Sequence, residues 1–320
     1  MHKLIHIDKQ GNLRKDLPLS EISELIGIEG NLVWLDILHP TEDDYLMLQE
    51  EFGFHPLAIE DTRSEEQRPK LDDYKDYLFI ISKYAFRNED EIGATFLSIF
   101  VGPRYLVTVH QKRISAVENV IARWERYGEM RAEGVAYLLY ALLDSILQGY
   151  FPLLDEIDDM MDDIEDRVLS GQGHDIMDDI FKTKKKMLVL RRTISPLRDV
   201  VMSLIRTEES FLSSKSRIYF SDVYDHIIHI TDTLDLHRDL ASGAMDAYLS
   251  TISNRLNDIM KVLTSMATIL GALTLISSVY GMNFRYMPEL RWHYGYFYLL
   301  GFMAVVAVVL AYYFRRKEWL

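Results

Sequence analysis

Small and polar side chains recur along one stripe of an otherwise apolar segment near the C-terminus. Read at the 3.5-residue spacing of a helix packed around a symmetry axis, the stripe consists of Asn257, Met260, Thr264, Ala267, Gly271, Thr274 and Ser278. Such a stripe can line a water-filled pore, but tight helix packing in a membrane uses the same residue types. The pattern alone therefore leaves pore lining and helix packing open.

The stripe ends at Gly281, Met282 and Asn283, which offer backbone and side-chain carbonyl groups. The two apolar segments of this region, residues 262–280 and 296–314, contain no carboxylate. This argues against a channel that removes the water shell of its ion and chelates the ion at a ring of acids. A small, strongly hydrated divalent cation such as Mg²⁺ gives up its water shell reluctantly. Carbonyl groups that bind the shell rather than the ion would suit it, and Asn283 with Gly281 can supply them.

Two charge-free segments, residues 262–280 and 296–314, have about the length needed to cross a bilayer. Tyrosine and tryptophan residues cluster near their ends, as in interfacial aromatic belts. Lys261 precedes the first segment and the basic residues 315–317 follow the second, so the positive-inside rule places both flanks in the cytoplasm. We predict a hairpin in the cytoplasmic membrane with both chain termini inside. Two core helices of a soluble protein are the alternative.

Strand patterns are confined to residues 1–116, which predicts an α/β domain. Thr41 precedes three acidic residues and is predicted to cap a helix there. The predicted strands are 32–35, 77–81, 95–101 and 105–110, with the last two joined as a hairpin through residues 102–104.

After residue 116 the sequence shows long helical patterns with few interruptions, the first from about residue 134 to 168. A stalk helix ending at residue 281 would be about 100 Å long at 1.5 Å per residue. One membrane hairpin has too little surface to enclose a water path, so a pore requires several copies. The predicted segments are a cytoplasmic helical hairpin (117–213), a stalk helix that includes the first span (214–281), an extracytoplasmic loop (282–295), the second span (296–314) and a basic tail (315–320).

The composition excludes several classes of function. The formal net charge of −14 argues against nucleic acid as a partner, and the absence of cysteine excludes disulfides and thiolate chemistry. The sequence contains no phosphate-binding glycine loop and no GxSxG or HExxH motif. We therefore predict that the protein is not an enzyme, and that any transport is driven by the ion gradient and the membrane potential.

Residues 280–284, Tyr-Gly-Met-Asn-Phe, resemble the signature of the CorA-type magnesium channels. As in that family, a Met-Pro-Glu-Leu segment at 287–290, a second span and a basic tail follow. The resemblance extends upstream through residues 257–264, 222–226 and 55–61, and it covers most of the chain.

The resemblance implies an α/β N-terminal cytoplasmic domain, a long α-helical stalk and two C-terminal transmembrane helices, assembled as a funnel-shaped homopentamer. It implies passage of hydrated Mg²⁺, with Co²⁺ as a second candidate ion, and a selectivity ring at Gly281, Met282 and Asn283. The implied pore positions are Asn257 as a polar ring, Met260 and Leu263 as a hydrophobic gate, and Thr274 as a polar site. Thr264 and Ser278 are added from the small-residue stripe.

The resemblance also implies regulation by bound Mg²⁺. Asp61 and Asp222 match the carboxylate pair that binds regulatory Mg²⁺ between subunits, with Glu60 and Asp144 as neighbours. Two bare carboxylates repel each other, whereas a divalent ion between them attracts both. We expect filled sites to hold the ring closed and empty sites to let the pore open when internal Mg²⁺ is low. Without the resemblance, each acid would be interpreted as an ordinary solvated group.

The sequence departs from the family pattern at two places. Gly271-Ala272 lacks the bulky residue and the proline expected before Leu273 and Thr274, and Ser277-Ser278 replaces an alanine and a glycine. These departures argue against a gate at Gly271 and predict a straighter pore helix. Two alternative functions stay open. One is a zinc, cobalt or nickel transporter of the same family, although the intact Met282 favours magnesium. The other is a non-conducting membrane-tethered cation sensor.

Two further clusters have a simpler interpretation than a metal site. The acidic run at 155–166 lacks the glycine and the closing glutamate of a calcium loop, so a solvated helical face is favoured. His226 and His229 could chelate a transition metal at i, i+3 spacing, but a solvated pair is the simpler reading.

Overall fold

The computed structural model describes residues 1–64, 67–126, 134–170, 175–207, 211–212, 216–283, 285, 287 and 291–320. Phe284 and the segment 288–290, which belong to the resemblance, lie outside the described residues, as does the predicted stalk start at 214. The chain divides into two compact units. The first is Met1–Arg167 with Gly173–Gly243, and the second is Val168–Gln172 with Ala244–Leu320.

Within the described residues of the first unit, seven strands form one sheet in the order β2-β1-β3-β7-β6-β5-β4. The strands are β1 (His2–Ile7), β2 (Leu13–Lys15), β3 (Leu32–Leu38), β4 (Lys70–Asp73), β5 (Leu78–Asn88), β6 (Glu91–Val101) and β7 (Tyr105–His110). β3 and β7 pair in parallel, and the other neighbours are antiparallel. Nearly every residue of this parallel pair is buried, as expected for strands covered on both faces.

The predicted strands 32–35, 95–101 and 105–110 are confirmed within β3, β6 and β7, and the predicted strand 77–81 is confirmed in β5 from Leu78 onward. The predicted hairpin is also confirmed, because β6 and β7 pair with Val101 opposite Leu106. Gly102 makes this tight connection possible, since a Cβ added there would overlap the Tyr105 ring. On one face of the sheet, the Phe54 ring stacks on Phe100 with centroids 4.0 Å apart. On the other face, Trp34 packs against Trp124 at 5.8 Å.

The helices are α1 (Ile22–Gly27), α2 (Glu42–Phe52), α3 (Pro56–Arg63), α4 (Ser115–Arg126), α5 (Gly134–Gln148), α6 (Phe151–Ser170), α7 (Ile176–Arg206), α8 (Ser216–Tyr280) and α9 (Gly295–Arg316). The predicted cap of α2 is confirmed. Thr41 Oγ1 accepts a hydrogen bond from the Asp44 backbone N–H at 3.4 Å, and Asp44 Oδ2 accepts one from the Thr41 N–H at 2.8 Å.

The single helix predicted from about residue 134 to 168 is wrong at its centre. α5 ends at Gln148 and α6 begins at Phe151, with a tight turn in which the Tyr150 N–H donates to the Leu147 carbonyl at 2.9 Å. Gly149 lies against the sheet, because a Cβ added there would be 3.1 Å from Tyr84 Cε2. Pro152 follows in the first turn of α6, where its missing N–H costs little. The apolar periodicity hid this break because both helices bury similar faces.

Among the described residues, three helical stretches are long and apolar enough to cross a membrane. Gly134–Ser170 has an apolar window that is 56% buried inside the protein, whereas the windows of Ser216–Tyr280 and Gly295–Arg316 are only 6% buried. The first is therefore packed core. The other two leave their apolar faces uncovered within one chain. The predicted first span, 262–280, ends with α8 at Tyr280, and the predicted second span, 296–314, lies within α9.

Candidate functional site

The predicted pore residues all lie on α8, and their side chains are exposed in a single chain. Met260 is 57% exposed and Leu263 is 60% exposed. The exposed positions also include Asn257, Thr264, Thr274 and Ser278. Because most of the apolar window of α8 is uncovered, exposure does not distinguish a pore-lining face from a lipid-facing face. The pore stripe remains a prediction.

The Thr274 hydroxyl has a polarity that suits a hydrated cation. Its proton is used within the helix, because Thr274 Oγ1 donates to the Leu270 carbonyl at 2.7 Å. The hydroxyl oxygen keeps its acceptor capacity. Water molecules around a cation point their hydrogens outward, so an acceptor of this kind can bind the hydration shell without removing it.

The Gly281-Met282-Asn283 segment begins where α8 ends. The Gly281 N–H donates to the Ser277 carbonyl at 3.0 Å and also lies 3.1 Å from the Ser278 carbonyl, which closes the last turn. Met282 and Asn283 follow outside the helix and are exposed. The carboxyl end of a helix carries partial negative charge from its aligned peptide dipoles, so this segment lies where a cation is favoured electrostatically.

The predicted regulatory acids Glu60 and Asp61 lie on α3, which begins after His55. The His55 Nδ1 accepts the Leu57 N–H at 3.2 Å, and Pro56 occupies the first helical position. Glu60 is exposed, whereas the Asp61 side chain is 19% exposed.

Both carboxylate oxygens of Asp61 have partners in the same chain. Gln67 Nε2 donates to Asp61 Oδ1 at 2.8 Å, and Lys70 Nζ lies 2.6 Å from Asp61 Oδ2. Burial lowers the pKa of Lys70, but its hydrogen bonds and charge interactions with Asp61 and Asp72 outweigh this effect and raise the pKa above the usual lysine value. Lys70 is therefore protonated at physiological pH, and Asp61 faces a positive charge.

The other two predicted regulatory acids, Asp144 on α5 and Asp222 on α8, share the neighbour Tyr140. The Tyr140 hydroxyl donates to Asp222 Oδ2 over 3.4 Å. Burial, followed by the charges of Asp144 and Asp222, raises the pKa of Tyr140 to about 12. The phenol is therefore neutral at physiological pH and remains a hydrogen-bond donor. His226 Nδ1 lies 3.6 Å from Asp144 Oδ1, too far for a hydrogen bond but close enough for an electrostatic contact.

The structure thus places the four predicted regulatory acids in two separate surroundings within one chain. In the part that the structure describes, no group of three or more His, Asp or Glu side chains is arranged to hold a metal ion. The donor atoms themselves are carboxylate and hydroxyl oxygens, which suit Mg²⁺.

Sequence reasoning missed Tyr140 and Lys70. Tyr140 stands four residues before Asp144 on α5, and Asp222 stands four residues before His226 on α8, so each pair shares a helix face. That spacing was a usable signal. Lys70 gave no such signal, because it reaches Asp61 from a strand that sequence patterns did not predict.

Comparisons with known proteins agree over nearly the whole chain. The profile of the family described as CorA-like Mg²⁺ transporter protein matches residues 29–316. The chain is 40% identical over 293 residues to the cobalt/magnesium transport protein CorA of Thermotoga maritima, a match covering 90% of this chain and 83% of that protein. It is 27% identical to the magnesium transport protein CorA of Escherichia coli, over 91% of this chain and 92% of that one.

The fold is also similar to solved structures. The complete structure of the CorA magnesium transporter from Methanocaldococcus jannaschii superposes with a TM-score of 0.85 at 25% identity, covering 99% of this chain and 98% of the other. The predicted fold class, an α/β N-terminal domain followed by a long helix and C-terminal apolar helices, is confirmed.

Proposed function

The chain belongs to the CorA-like Mg²⁺ transporter family, and from this premise we propose that it forms a homo-oligomeric channel that passes hydrated Mg²⁺ down its electrochemical gradient. Co²⁺ is the second ion of the proposal. The observation that carries it is the exposed Gly281-Met282-Asn283 segment at the carboxyl end of α8, a helix whose apolar part contains no carboxylate.

Selection in this proposal acts on the hydrated ion. Asn283 and the neighbouring backbone carbonyls accept hydrogen bonds from the water shell, so the ion does not have to be dehydrated at the mouth. Asn257, Thr264, Thr274 and Ser278 then offer polar contacts along the pore, and Met260 with Leu263 forms a hydrophobic constriction. A constriction of this kind closes a pore by excluding water.

The assembly and orientation are part of the same proposal. The resemblance favours a funnel-shaped homopentamer in the cytoplasmic membrane, with both termini in the cytoplasm and residues 282–295 outside. The two uncovered apolar windows of α8 and α9 support a bilayer as the surrounding medium. Neither nucleic acid binding nor enzymatic catalysis is part of the proposed function.

Regulation is proposed to use internal Mg²⁺ bound between Asp61, with Glu60, of one subunit and Asp222, with Asp144, of the next. The separate surroundings of these acids within one chain support a site shared between copies. α8 carries both Asp222 and the proposed gate residues Met260 and Leu263. Bound Mg²⁺ should favour the closed state, and its loss should favour opening.

Rescue of a bacterial strain that lacks its own magnesium uptake systems tests the proposed permeation path. We expect the wild-type gene to restore growth in low magnesium and Asn283→Ala to fail at equal membrane expression. Asn88→Ala is the matched control, because Asn88 is exposed at the end of β5 in the first unit. Equal growth with Asn283→Ala would contradict the assignment. If the wild-type gene restored only zinc or nickel uptake, a different transported ion would be favoured. If it restored no uptake at all, a non-conducting sensor would be favoured.

The proposed regulation predicts a different phenotype for Asp222→Lys. A fixed positive charge at this position prevents divalent binding, so we expect channels that remain open when internal Mg²⁺ is high. Influx into liposomes preloaded with Mg²⁺ measures this directly. Inhibition by internal Mg²⁺ that equals that of the wild type would remove Asp222 from the regulatory site.

A further inference from the structure

The Lys70 ammonium group lies between two carboxylates of the first unit. Its Nζ is 2.6 Å from Asp61 Oδ2 and 2.5 Å from Asp72 Oδ2. Gln67 Nε2 donates to the remaining oxygen of Asp61 at 2.8 Å. Asp61 is therefore neutralised and hydrogen-bonded within its own chain.

An aromatic ring and partial burial add to these contacts of Lys70. The Lys70 ammonium lies 5.8 Å from the centroid of the Phe79 ring on the adjacent strand β5. The side chains of Asp61, Lys70 and Asp72 are 19%, 34% and 36% exposed. Solvent screens such partly buried pairs less than a fully exposed pair.

Lys70 Nζ occupies the space beside Asp61 Oδ2, the oxygen that a metal ion coordinated by Asp61 would also approach. Coordination of Asp61 Oδ2 to a metal ion would place two cations beside one carboxylate, unless Lys70 moves. Lysine has a flexible four-carbon stem and can withdraw toward solvent, whereas Asp61 is fixed on α3. The ammonium and the metal ion are thus alternatives at this carboxylate.

We propose that Lys70 is a built-in competitor of the regulatory cation, which neutralises Asp61 in the metal-free state and must leave it before a divalent ion can bind. The inference rests on the proposed regulatory function of Asp61. In this inference, Lys70 sets the Mg²⁺ concentration at which the regulatory site fills.

Direct metal binding to the purified full-length protein tests this competition. Mn²⁺ serves as the probe, and its free concentration is read from the electron paramagnetic resonance signal. Lys70→Gln removes the charge, and we expect the sites that depend on Asp61 to bind Mn²⁺ about 3- to 10-fold more tightly, as expected for loss of one partly screened ion-pair competitor. Lys70→Arg keeps the positive charge and should behave like the wild type. This variant tests whether loss of the charge, and not a change in the fold, causes the effect.

The matched control is Lys182→Gln, since Lys182 is an exposed lysine paired with Asp178 at 2.8 Å on α7. It should leave Mn²⁺ binding unchanged. The effect of Lys70→Gln should also vanish in an Asp61→Asn background, because a competitor acts only through the group that it occupies.

The outcomes separate this inference from the proposed function. If Asp61→Asn removes Mn²⁺ sites but Lys70→Gln leaves the affinity unchanged, the competition is overturned and the regulatory site stands. A Lys70→Gln effect that persists in Asp61→Asn also overturns it. If Asp61→Asn removes no Mn²⁺ site, the regulatory function of Asp61 and the inference fail together.

Discussion

A buried polar network joins β3 to β7 in the first unit. Asp36 Oδ1 accepts a hydrogen bond from Thr108 Oγ1 at 2.6 Å and lies 3.0 Å from His110 Nε2, while His110 Nδ1 lies 2.6 Å from the Lys112 carbonyl. Burial lowers the pKa of His110, but the hydrogen bond and charge of Asp36, with the Lys112 carbonyl, outweigh it and raise the pKa. The folded protein therefore holds the imidazolium form more strongly than the unfolded chain does.

The pH dependence of unfolding follows from that shift. A raised pKa stabilises the fold fully below the unfolded histidine value of about 6.5, and this contribution is lost as pH rises through the folded value. We expect the thermal midpoint of the detergent-solubilised protein to fall across this window, and His110→Gln to remove that part of the dependence. His229→Gln, at an exposed position on α8, is the control. An unchanged profile in His110→Gln would contradict the assignment.

At the residue scale, the sequence indicated candidate functional side chains, but it did not indicate which other side chains contact them. The family resemblance predicted a regulatory role for Asp61, Asp144 and Asp222, and that role stays a prediction. Spacing along a helix could have joined Tyr140 to Asp144, but only the packing of α5 against α8 brings Tyr140 to Asp222. Contacts between elements depend on side-chain packing that periodicity does not encode.

Helix α2 depends on the reciprocal hydrogen bonds at its first turn. Thr41→Ala removes the hydroxyl acceptor for the Asp44 N–H, and we expect a loss of about 1 kcal/mol of unfolding free energy. Chemical denaturation followed by circular dichroism measures the change. Thr41→Ser keeps the acceptor and should stay close to wild type, and a Thr41→Ser loss as large as that of Thr41→Ala would contradict the capping explanation.

The β6–β7 turn predicts a second difference between similar substitutions. Gly102→Ala forces a Cβ into the buried Tyr105 ring, so we expect a destabilisation of about 1–3 kcal/mol from overpacking. Gly27→Ala is the matched control, because a Cβ at Gly27 meets no atom within 4 Å and its backbone is not left-handed. Denaturation of both variants compares them. Equal stability would show that Tyr105 moves aside at little cost.

At the element scale, the strands with continuous apolar runs could be predicted, whereas the shorter or more polar ones could not. β2 has three residues and β4 reads Lys-Leu-Asp-Asp, so neither carries a strong strand pattern. The break between α5 and α6 was missed because the apolar residues keep a helical spacing on both sides of the turn at Gly149. The capping pattern at Thr41 was specific enough to be confirmed.

At the scale of the whole molecule, the sequence predicted the two terminal apolar helices from length and absence of charge alone. The apolar windows of these two helices are only 6% buried within one chain, which agrees with a position in the apolar interior of a bilayer. The arrangement of several copies is different, because no pattern within one chain specifies how many copies surround an axis. The pore, the gate and the shared carboxylate site therefore all depend on the proposed assembly.

The most direct test of this account is magnesium influx into liposomes that contain the purified protein and a magnesium-sensitive dye. We expect rapid influx with low internal Mg²⁺, driven by the gradient and by an inside-negative potential, and at least a tenfold loss with Asn283→Ala but not with Asn88→Ala. No influx with the wild type, or equal influx with Asn283→Ala, would contradict the claim that hydrated Mg²⁺ passes through the Gly281-Met282-Asn283 segment.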